Sequence, residues 1–208
     1  RSSKRFPVPV ADRFYGKNNL SKRISDQILA SELRDTLEYK YSDIPYFFMK
    51  DMLEDRYQKP LETLAMESFY KPLGLVRTTF NPNKNTPNQT VIPSEIDTYY
   101  RNQELKGEVH DMAAAMLGGV GGHAGLFSNA NEVAILMQLF LQQGSYADKH
   151  YFSTTTFDQF NQCLYCEEGN RRGVGFDKPQ LEGRGSTCGC VPKSSFGHSG
   201  FTGTYAWA

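Results

Sequence analysis

The chain has no hydrophobic run long enough to cross a bilayer. Its longest apolar stretch, Val133 to Leu141, is interrupted by Gln138 and falls far short of the roughly 20 residues that a membrane helix needs. An excess of one charge is also missing. Lys plus Arg and Asp plus Glu both number 23, so the formal net charge is zero. No basic block exceeds a few residues, which argues against nucleic acid as a partner. Arg1-Ser2-Ser3-Lys4-Arg5 is basic, but no apolar stretch follows it, so it does not read as a secretory signal. Position 1 is not Met, and Thr204-Tyr205-Ala206-Trp207-Ala208 is strand-like with no turn or cap after it. Both ends are therefore expected to be cuts in a larger protein.

Aromatic residues are plentiful. Fourteen Phe and twelve Tyr argue for a folded chain rather than a disordered one. A length of 208 residues suffices for one core, so a single domain is the default. Residues 1–20 read as an irregular lead-in, with Pro7, Pro9 and Gly16. Ser21 can cap a helix reaching about Leu33, with Ile24 and Ile28 on one face. Leu37 to Tyr41 leads into a Tyr41-Ser42-Asp43 cluster. Asp43 can cap a helix to about Tyr57, with Pro45 tolerated in its first turn. Pro60 opens another helix, which Lys71-Pro72-Leu73-Gly74 stops near Tyr70. Residues 80–98 look like a loop.

Asp111 to Leu117 reads as a small-residue helix running into a glycine-rich turn, Gly118 to Gly125. Ser128 or Asn129 caps a helix from Ala130 to Gln143, closed by Gly144. Its stripe Val133, Leu136, Met137, Phe140 is core packing at helical spacing. Thr156 to about Tyr165 suits a short helix, and Val174 to Phe176 a strand. A mainly helical part, 21–145, followed by loop and strands, 146–208, gives an α+β class.

Two clusters carry chemistry. Phe196 to Thr204 holds three glycines among aromatic and β-branched positions. It reads as a strand whose backbone is left open to close approach. His198-Ser199-Gly200 there offers an imidazole, a hydroxyl and unshielded N–H groups, a set suited to a carbonyl or carboxylate. The competing reading is an edge strand with a surface histidine. Upstream, Tyr41-Ser42-Asp43 sits where a loop enters a helix. A tyrosine beside cations can act as a general base or acid, and an acceptor two residues on can orient a cation. The competing reading is a core tyrosine followed by an N-cap aspartate.

In order and context these clusters resemble the serine β-lactamase and penicillin-binding-protein superfamily. Its members carry Ser-x-x-Lys, then Tyr-x-Asn or a variant, then Lys-Thr-Gly or His-x-Gly on a strand. Tyr41-Ser42-Asp43 matches the second motif and His198-Ser199-Gly200 the third. Tyr70-Lys71-Pro72-Leu73-Gly74-Leu75, followed by Thr78, is similar to the family's Pro-Leu-Gly segment. Gly122-His123-Ala124-Gly125-Leu126-Phe127-Ser128 is similar to its glycine-rich turn before a long helix. The resemblance covers about residues 36 to 208. Gly107-Glu108-Val109-His110-Asp111 and Arg171 to Asp177 resemble the serine-hydrolase domains fused to family 3 glycoside hydrolases.

The resemblance implies a β-lactamase/transpeptidase-like fold, represented by a helical subdomain and part of an antiparallel sheet. It implies acyl transfer through a serine ester, acting on a β-lactam, a cell-wall peptide or an acyl ester. Tyr41 would shuttle the proton. Asp43, in place of the usual Asn, would hold the lysine or the substrate amide. His198, where a lysine often stands, would tune Tyr41 and the substrate's acid group. Ser199 and Gly200 would line the substrate, and the N–H of Phe201 would form half of an oxyanion hole.

The only serine with a lysine three residues on is Ser68, before Lys71. It follows the tyrosine motif and falls in a segment already explained, so the nucleophile is expected before residue 1. No metal or organic cofactor is implied. The expected partners are a small-molecule or peptidoglycan-derived substrate and a covalently linked glycoside hydrolase domain. The expected location is the bacterial periplasm or cell envelope. The alternative is a catalytically silent accessory or binding domain of a larger cell-wall-active protein.

Four cysteines form Cys163-x-x-Cys166 and Cys188-x-Cys190. Zinc held by four thiolates, one or two disulfides, and free thiols are all open. A zinc-stapled interaction module would rest on these residues alone. Of the other histidines, His123 is expected to make a structural hydrogen bond in the glycine-rich turn, and His150 to lie on the surface.

Overall fold

Short strands and helices alternate along the chain in the computed structural model, which describes every residue except Arg1, Leu37, Leu181, Gly183 and Arg184. Arg1 of the basic leader and Leu37 before the tyrosine motif thus lie outside the described residues. The chain divides into two compact units, residues 1–128 and 129–208. The long helix after Asn129 packs with strands that follow it in the second unit.

The first unit opens with a hairpin, β1 (Val8–Ala11) and β2 (Phe14–Gly16), where an irregular lead-in was expected. Val8 pairs with Gly16 and Pro9 with Tyr15, with a bulge before Ala11. Arg13 takes a left-handed φ of 53° to close the turn. Strands this short, one of them containing a proline, leave little periodic signal. Val10 packs with Val109, Ala114 and Ala115 into a core cluster, joined by Phe14, Tyr100 and Ala124.

Helix α1 (Leu20–Leu29) is shorter than expected. The Ser31 hydroxyl donates to the Ile28 carbonyl, which satisfies a terminal acceptor and ends the helix. Leu33 is left 95% exposed. Helix α2 (Ile44–Tyr57) follows Asp43, and α3 (Leu61–Ala65) follows Pro60. Glu54 connects the two, because its carboxylate takes Lys50 Nζ at 2.7 Å and the Leu61 N–H at 2.8 Å. After α3 the chain widens into a π-turn, Met66–Tyr70, in which the Lys71 N–H reaches the Met66 carbonyl.

The expected loop at 80–98 contains structure. Strand β3 (Thr79–Phe80) leads to a one-turn helix α4 (Pro82–Asn85), and β4 (Glu95–Asp97) pairs antiparallel with β5 (Gln103–Leu105). Arg101, between those strands, is buried. Its Nε bonds Asp97 Oδ2 at 2.7 Å, Nη1 reaches the Val109 carbonyl at 2.6 Å, and Nη2 donates to the His110 carbonyl. One guanidinium thus ties the hairpin to the segment entering α5 (Met112–Met116). Strand β6 (Leu126–Phe127) pairs with β3, setting the Pro-Leu-Gly segment beside the glycine-rich turn, and Thr78 Oγ1 meets Ser128 Oγ at 2.7 Å.

The second unit begins with α6 (Ala130–Leu141), capped by Asn129, whose side chain accepts the Glu132 N–H. The short hairpin β7 (Ser145–Tyr146) and β8 (Lys149–His150) precedes α7 (Thr154–Asn161), capped by Ser153. Phe140, Phe176, Phe196 and Phe157 follow one another at centroid spacings of 4.9, 4.9 and 5.4 Å. β9 (Gly197–Ser199) and β10 (Tyr205–Trp207) close the unit as an antiparallel pair. The strand expected at Val174–Phe176 is a bend. The strand-like pairing lies one residue later, where Asp177 and Gly197 exchange backbone hydrogen bonds of 2.8 and 3.1 Å.

All four cysteines are joined, Cys163 to Cys166 and Cys188 to Cys190. Sulfurs joined in disulfides supply no thiolates for zinc, so the zinc-module reading falls. Among the described residues no helix is long and apolar enough to span a membrane.

Candidate active site

The tyrosine motif sits at the mouth of α2. Tyr41 is 57% exposed, and Ser42 and Asp43 are also exposed. Asp43 holds the N-cap position, but its carboxylate makes no capping bond. The Ser42 hydroxyl accepts the Ile44 N–H instead, at 3.2 Å. Asp43 thus stands at the N-cap without a side-chain capping bond, and Tyr41 is exposed rather than the core tyrosine of the competing reading.

What holds that helix start is the glycine-rich turn. Gly122 lies so close to the first turn of α2 that a Cβ there would collide with the Tyr46 carbonyl oxygen. One residue on, the His123 ring stacks on Phe47, with centroids 4.5 Å apart and planes 14° apart. The His123 side chain is 3% exposed, and its Nε2 sits 2.8 Å from Asp111 Oδ1. The same oxygen accepts the Ala114 N–H at 2.7 Å and so caps α5. Burial alone would raise the Asp111 pKa, but hydrogen bonds from His123 and Ala114, with the nearby His123 and His110 charges, hold it below the usual carboxylate value. His123 makes the structural hydrogen bond the sequence suggested, and its Nδ1 is buried with no hydrogen-bond partner among the described residues.

The histidine motif belongs to the second unit. The expected strand Phe196–Thr204 is shorter than read. Only Gly197–Ser199 is strand, and the chain then turns back through Gly200–Thr204. The Gly200 N–H is committed to the Thr204 carbonyl at 2.8 Å, and Gly203 takes a φ of +83°, which allows so tight a reversal. Phe201 is 82% exposed at the tip. At Gly197 a Cβ would strike the Ala206 carbonyl and the Trp207 ring, so the glycine makes room for the partner strand.

His198 is half-buried. Its Nδ1 lies 2.7 Å from the Ser199 carbonyl and its Nε2 lies 2.9 Å from Arg172 Nη1. Arg172 and Arg171 both approach Asp177 Oδ2, at 3.7 and 2.9 Å, and Asp177 is only 3% exposed. The sequence reading used Arg171 to Asp177 only as a family likeness and missed this contact. The alternation of two arginines and an aspartate with glycines before the final strand was the available signal.

Tyr41 to Asp43 and His198 to Phe201 thus occupy separate units, each with its own support. Ser68 and Lys71 are exposed on the π-turn. A cavity of about 310 Å³, lined by Asn161, Cys163, Cys166, Lys178, Gln180 and Lys193 among others, includes none of the predicted site residues. Neither does one of about 290 Å³ lined in part by Met66, Tyr70 and Phe80, where burial pushes the Tyr70 phenol up to about 12.

The fold is of the β-lactamase and penicillin-binding-protein type. A penicillin-binding protein homologue from Caulobacter crescentus matches 90% of this chain with a TM-score of 0.60 at 14% identity, over 54% of its own length. An octameric penicillin-binding protein homologue from Pyrococcus abyssi matches 90% with a TM-score of 0.58 at 15% identity, over 40% of its length. The sequence profile of the Beta-lactamase family matches residues 7–208, and the chain belongs to that family. An Escherichia coli K12 protein named "Putative D-alanyl-D-alanine carboxypeptidase" is 34% identical over 197 residues, 86% of this chain and 45% of that protein. A Salmonella enteritidis protein of the same name is 32% identical over 221 residues, 93% of this chain and 50% of that protein. The chain spans about half the length of these relatives.

Proposed function

We propose that the protein to which this chain belongs hydrolyses an ester or amide through an acyl-serine intermediate, and that its substrate is a cell-wall peptide ending in D-alanyl-D-alanine. The observation that carries the reading is Asp43, which stands at the start of α2 with its carboxylate left out of the capping bond while Ser42 makes it. A carboxylate with no capping bond among the described residues, beside a tyrosine, suits the orientation of a catalytic cation, and Tyr41 would carry the proton between nucleophile, leaving group and water. Phe201 would contribute one oxyanion donor; loss of such a donor costs about 3–4 kcal/mol in a comparable hydrolase. Ser199 and Gly200 would line the acyl site. The nucleophilic serine and its lysine would come from sequence before Arg1.

The substrate class is supported by the names of the relatives. An envelope location is supported by the two disulfides, which persist in oxidising compartments. A covalently linked family 3 glycoside hydrolase domain rests on Gly107–Asp111 and Arg171–Asp177 alone, and the sequence flanking this chain in its gene decides it.

Intact mass after exposure to a fluorophosphonate or a penicillin tests the chemistry. Chain 1–208 should gain no adduct. The same protein extended at its N-terminus should gain one, mapping to a serine three residues before a lysine, and should release D-alanine from a D-alanyl-D-alanine peptide. A stoichiometric adduct on Ser68 would overturn the assignment of the nucleophile. No adduct and no turnover in the extended protein would favour a silent accessory domain.

A further inference from the structure

We propose that Arg172, held by Asp177, is a positioning residue that fixes His198 as the neutral imidazole protonated on Nδ1. The positive charge beside the final strand then resides on Arg172. The argument is one of donors and acceptors. A guanidinium has five N–H donors and no acceptor, and it stays protonated in proteins. The His198 nitrogen that meets Arg172 Nη1 at 2.9 Å must therefore accept. A carbonyl oxygen can only accept, so the nitrogen 2.7 Å from the Ser199 carbonyl must donate. Both conditions hold together in a single state, with the proton on Nδ1 and a lone pair on Nε2.

The surroundings reinforce that state. Asp177 is buried and pinned beside β9 by two backbone hydrogen bonds to Gly197. Its Oδ2 receives Arg171 at 2.9 Å and lies 3.7 Å from Arg172, while its Oδ1 accepts the Lys178 N–H at 3.0 Å. Lys178 turns its ammonium away, to Asn161 Oδ1 and the Ser194 carbonyl. On the other side β10 sets Ala206 opposite His198 and Tyr205 opposite Ser199, and the Tyr205 hydroxyl donates to the Ser186 carbonyl. Arg171, Arg172 and Asp177 are thus among the charged groups at this place. An imidazolium would present a third cation directly to Arg172.

The sequence-based expectation gave His198 the part of the lysine found in many relatives. Here the cation is one residue removed, and His198 connects it to the strand. The catalytic consequence rests on the acyl-serine reading above; the tautomer does not.

The tautomer is measured directly by the imidazole nitrogen shifts of the ¹⁵N-histidine-labelled protein at neutral pH. His198→Gln identifies the signal among the four histidines. The expected spectrum places the proton on Nδ1 and leaves Nε2 bare, and Arg172→Met, which has no donor, introduces the Nε2–H form. An Nε2–H tautomer or an imidazolium in the unmodified protein would overturn the proposal, as would a spectrum unchanged by Arg172→Met. Should Arg172→Met fail to fold, Arg172→Lys, which keeps a donor, must retain the Nδ1–H form. In the full-length protein Arg172→Met should lower kcat/KM on the order of tenfold, as for loss of one charge-assisted hydrogen bond, with partial recovery in Arg172→Lys. Absence of any turnover with the expected spectrum intact would sink the hydrolase reading and leave the tautomer standing.

Discussion

Asp97 is a carboxylate taken almost wholly out of water, and four donors answer it. Oδ1 accepts the N–H groups of Tyr99 and Tyr100, and Oδ2 accepts the N–H and Nε of Arg101. Burial alone would raise its pKa, but these bonds outweigh it and hold the group far below the ordinary carboxylate value. The linkage sign follows. A depressed folded pKa gives stability that is complete above the unfolded value, about 4, and is lost as pH falls toward the folded value. Asp97→Asn should destabilise the protein at neutral pH by roughly 3–5 kcal/mol, as expected for a buried pair deprived of one charge. It should also flatten the decline in stability between pH 5 and pH 2. Urea midpoints across that range check both parts, and an acid limb as steep as that of the unmodified protein would refute the assignment. Nothing in the sequence marked Asp97 or Arg101, because a buried ion pair leaves no periodic pattern.

At the scale of elements, α2 is positioned by a turn rather than by a hydrophobic face. None of its residues is fully buried, and Phe48, Met49 and Met52 are exposed. Its fixed points are the approach of Gly122 to Tyr46 and the stacking of His123 on Phe47. Asp111 is the hub of that support, since one carboxylate oxygen caps α5 and holds His123. Asp111→Ala should remove a cap, about 0.5–2 kcal/mol, and leave the buried His123 Nε2 unanswered, about 1–3 kcal/mol more. Asp111→Asn keeps an acceptor and should recover most of the loss. Equal destabilisation by Ala and Asn in thermal melts would show that the charge, not the acceptor, matters. Gly122→Ala should displace α2 outright, because its Cβ would meet backbone rather than a side chain that can rotate. Loss of the Phe47–His123 ring-current shifts in proton NMR would report it.

The elements differ in how well the sequence revealed them. The helices at α2, α5 and α6 were legible from caps and apolar spacing, and the glycine-rich turn from its composition. The hairpin at Val8–Gly16 and the strand pairs β3–β6 and β4–β5 were not, since two to four residues cannot display a period. The candidate site divides in the same way. Tyr41, Asp43 and His198 could be found as motifs, whereas the capping by Ser42 and the contact with Arg172 depend on backbone placement that no motif encodes.

For the molecule as a whole, the decisive chemistry is the state of its four thiols. The two disulfides close rings of only four and three residues. Chain-entropy reasoning gives such small loops about 2 kcal/mol each at most, so they fasten local turns rather than hold the fold together. Reduction should therefore lower the melting temperature by no more than roughly 15 °C and leave the helical circular dichroism in place. Alkylation supplies the more direct test. Under denaturing conditions without reductant, iodoacetamide should add nothing to the intact mass of protein purified from an oxidising compartment. After reduction it should add four groups. Four groups added without reductant, accompanied by stoichiometric zinc in the native protein, would reverse the pairing and remove the support the disulfides give to an envelope location. Two groups added would leave one pair joined, and peptide mapping would then say whether the turn at Cys163–Cys166 or the loop before the His198 strand is the one that stays closed.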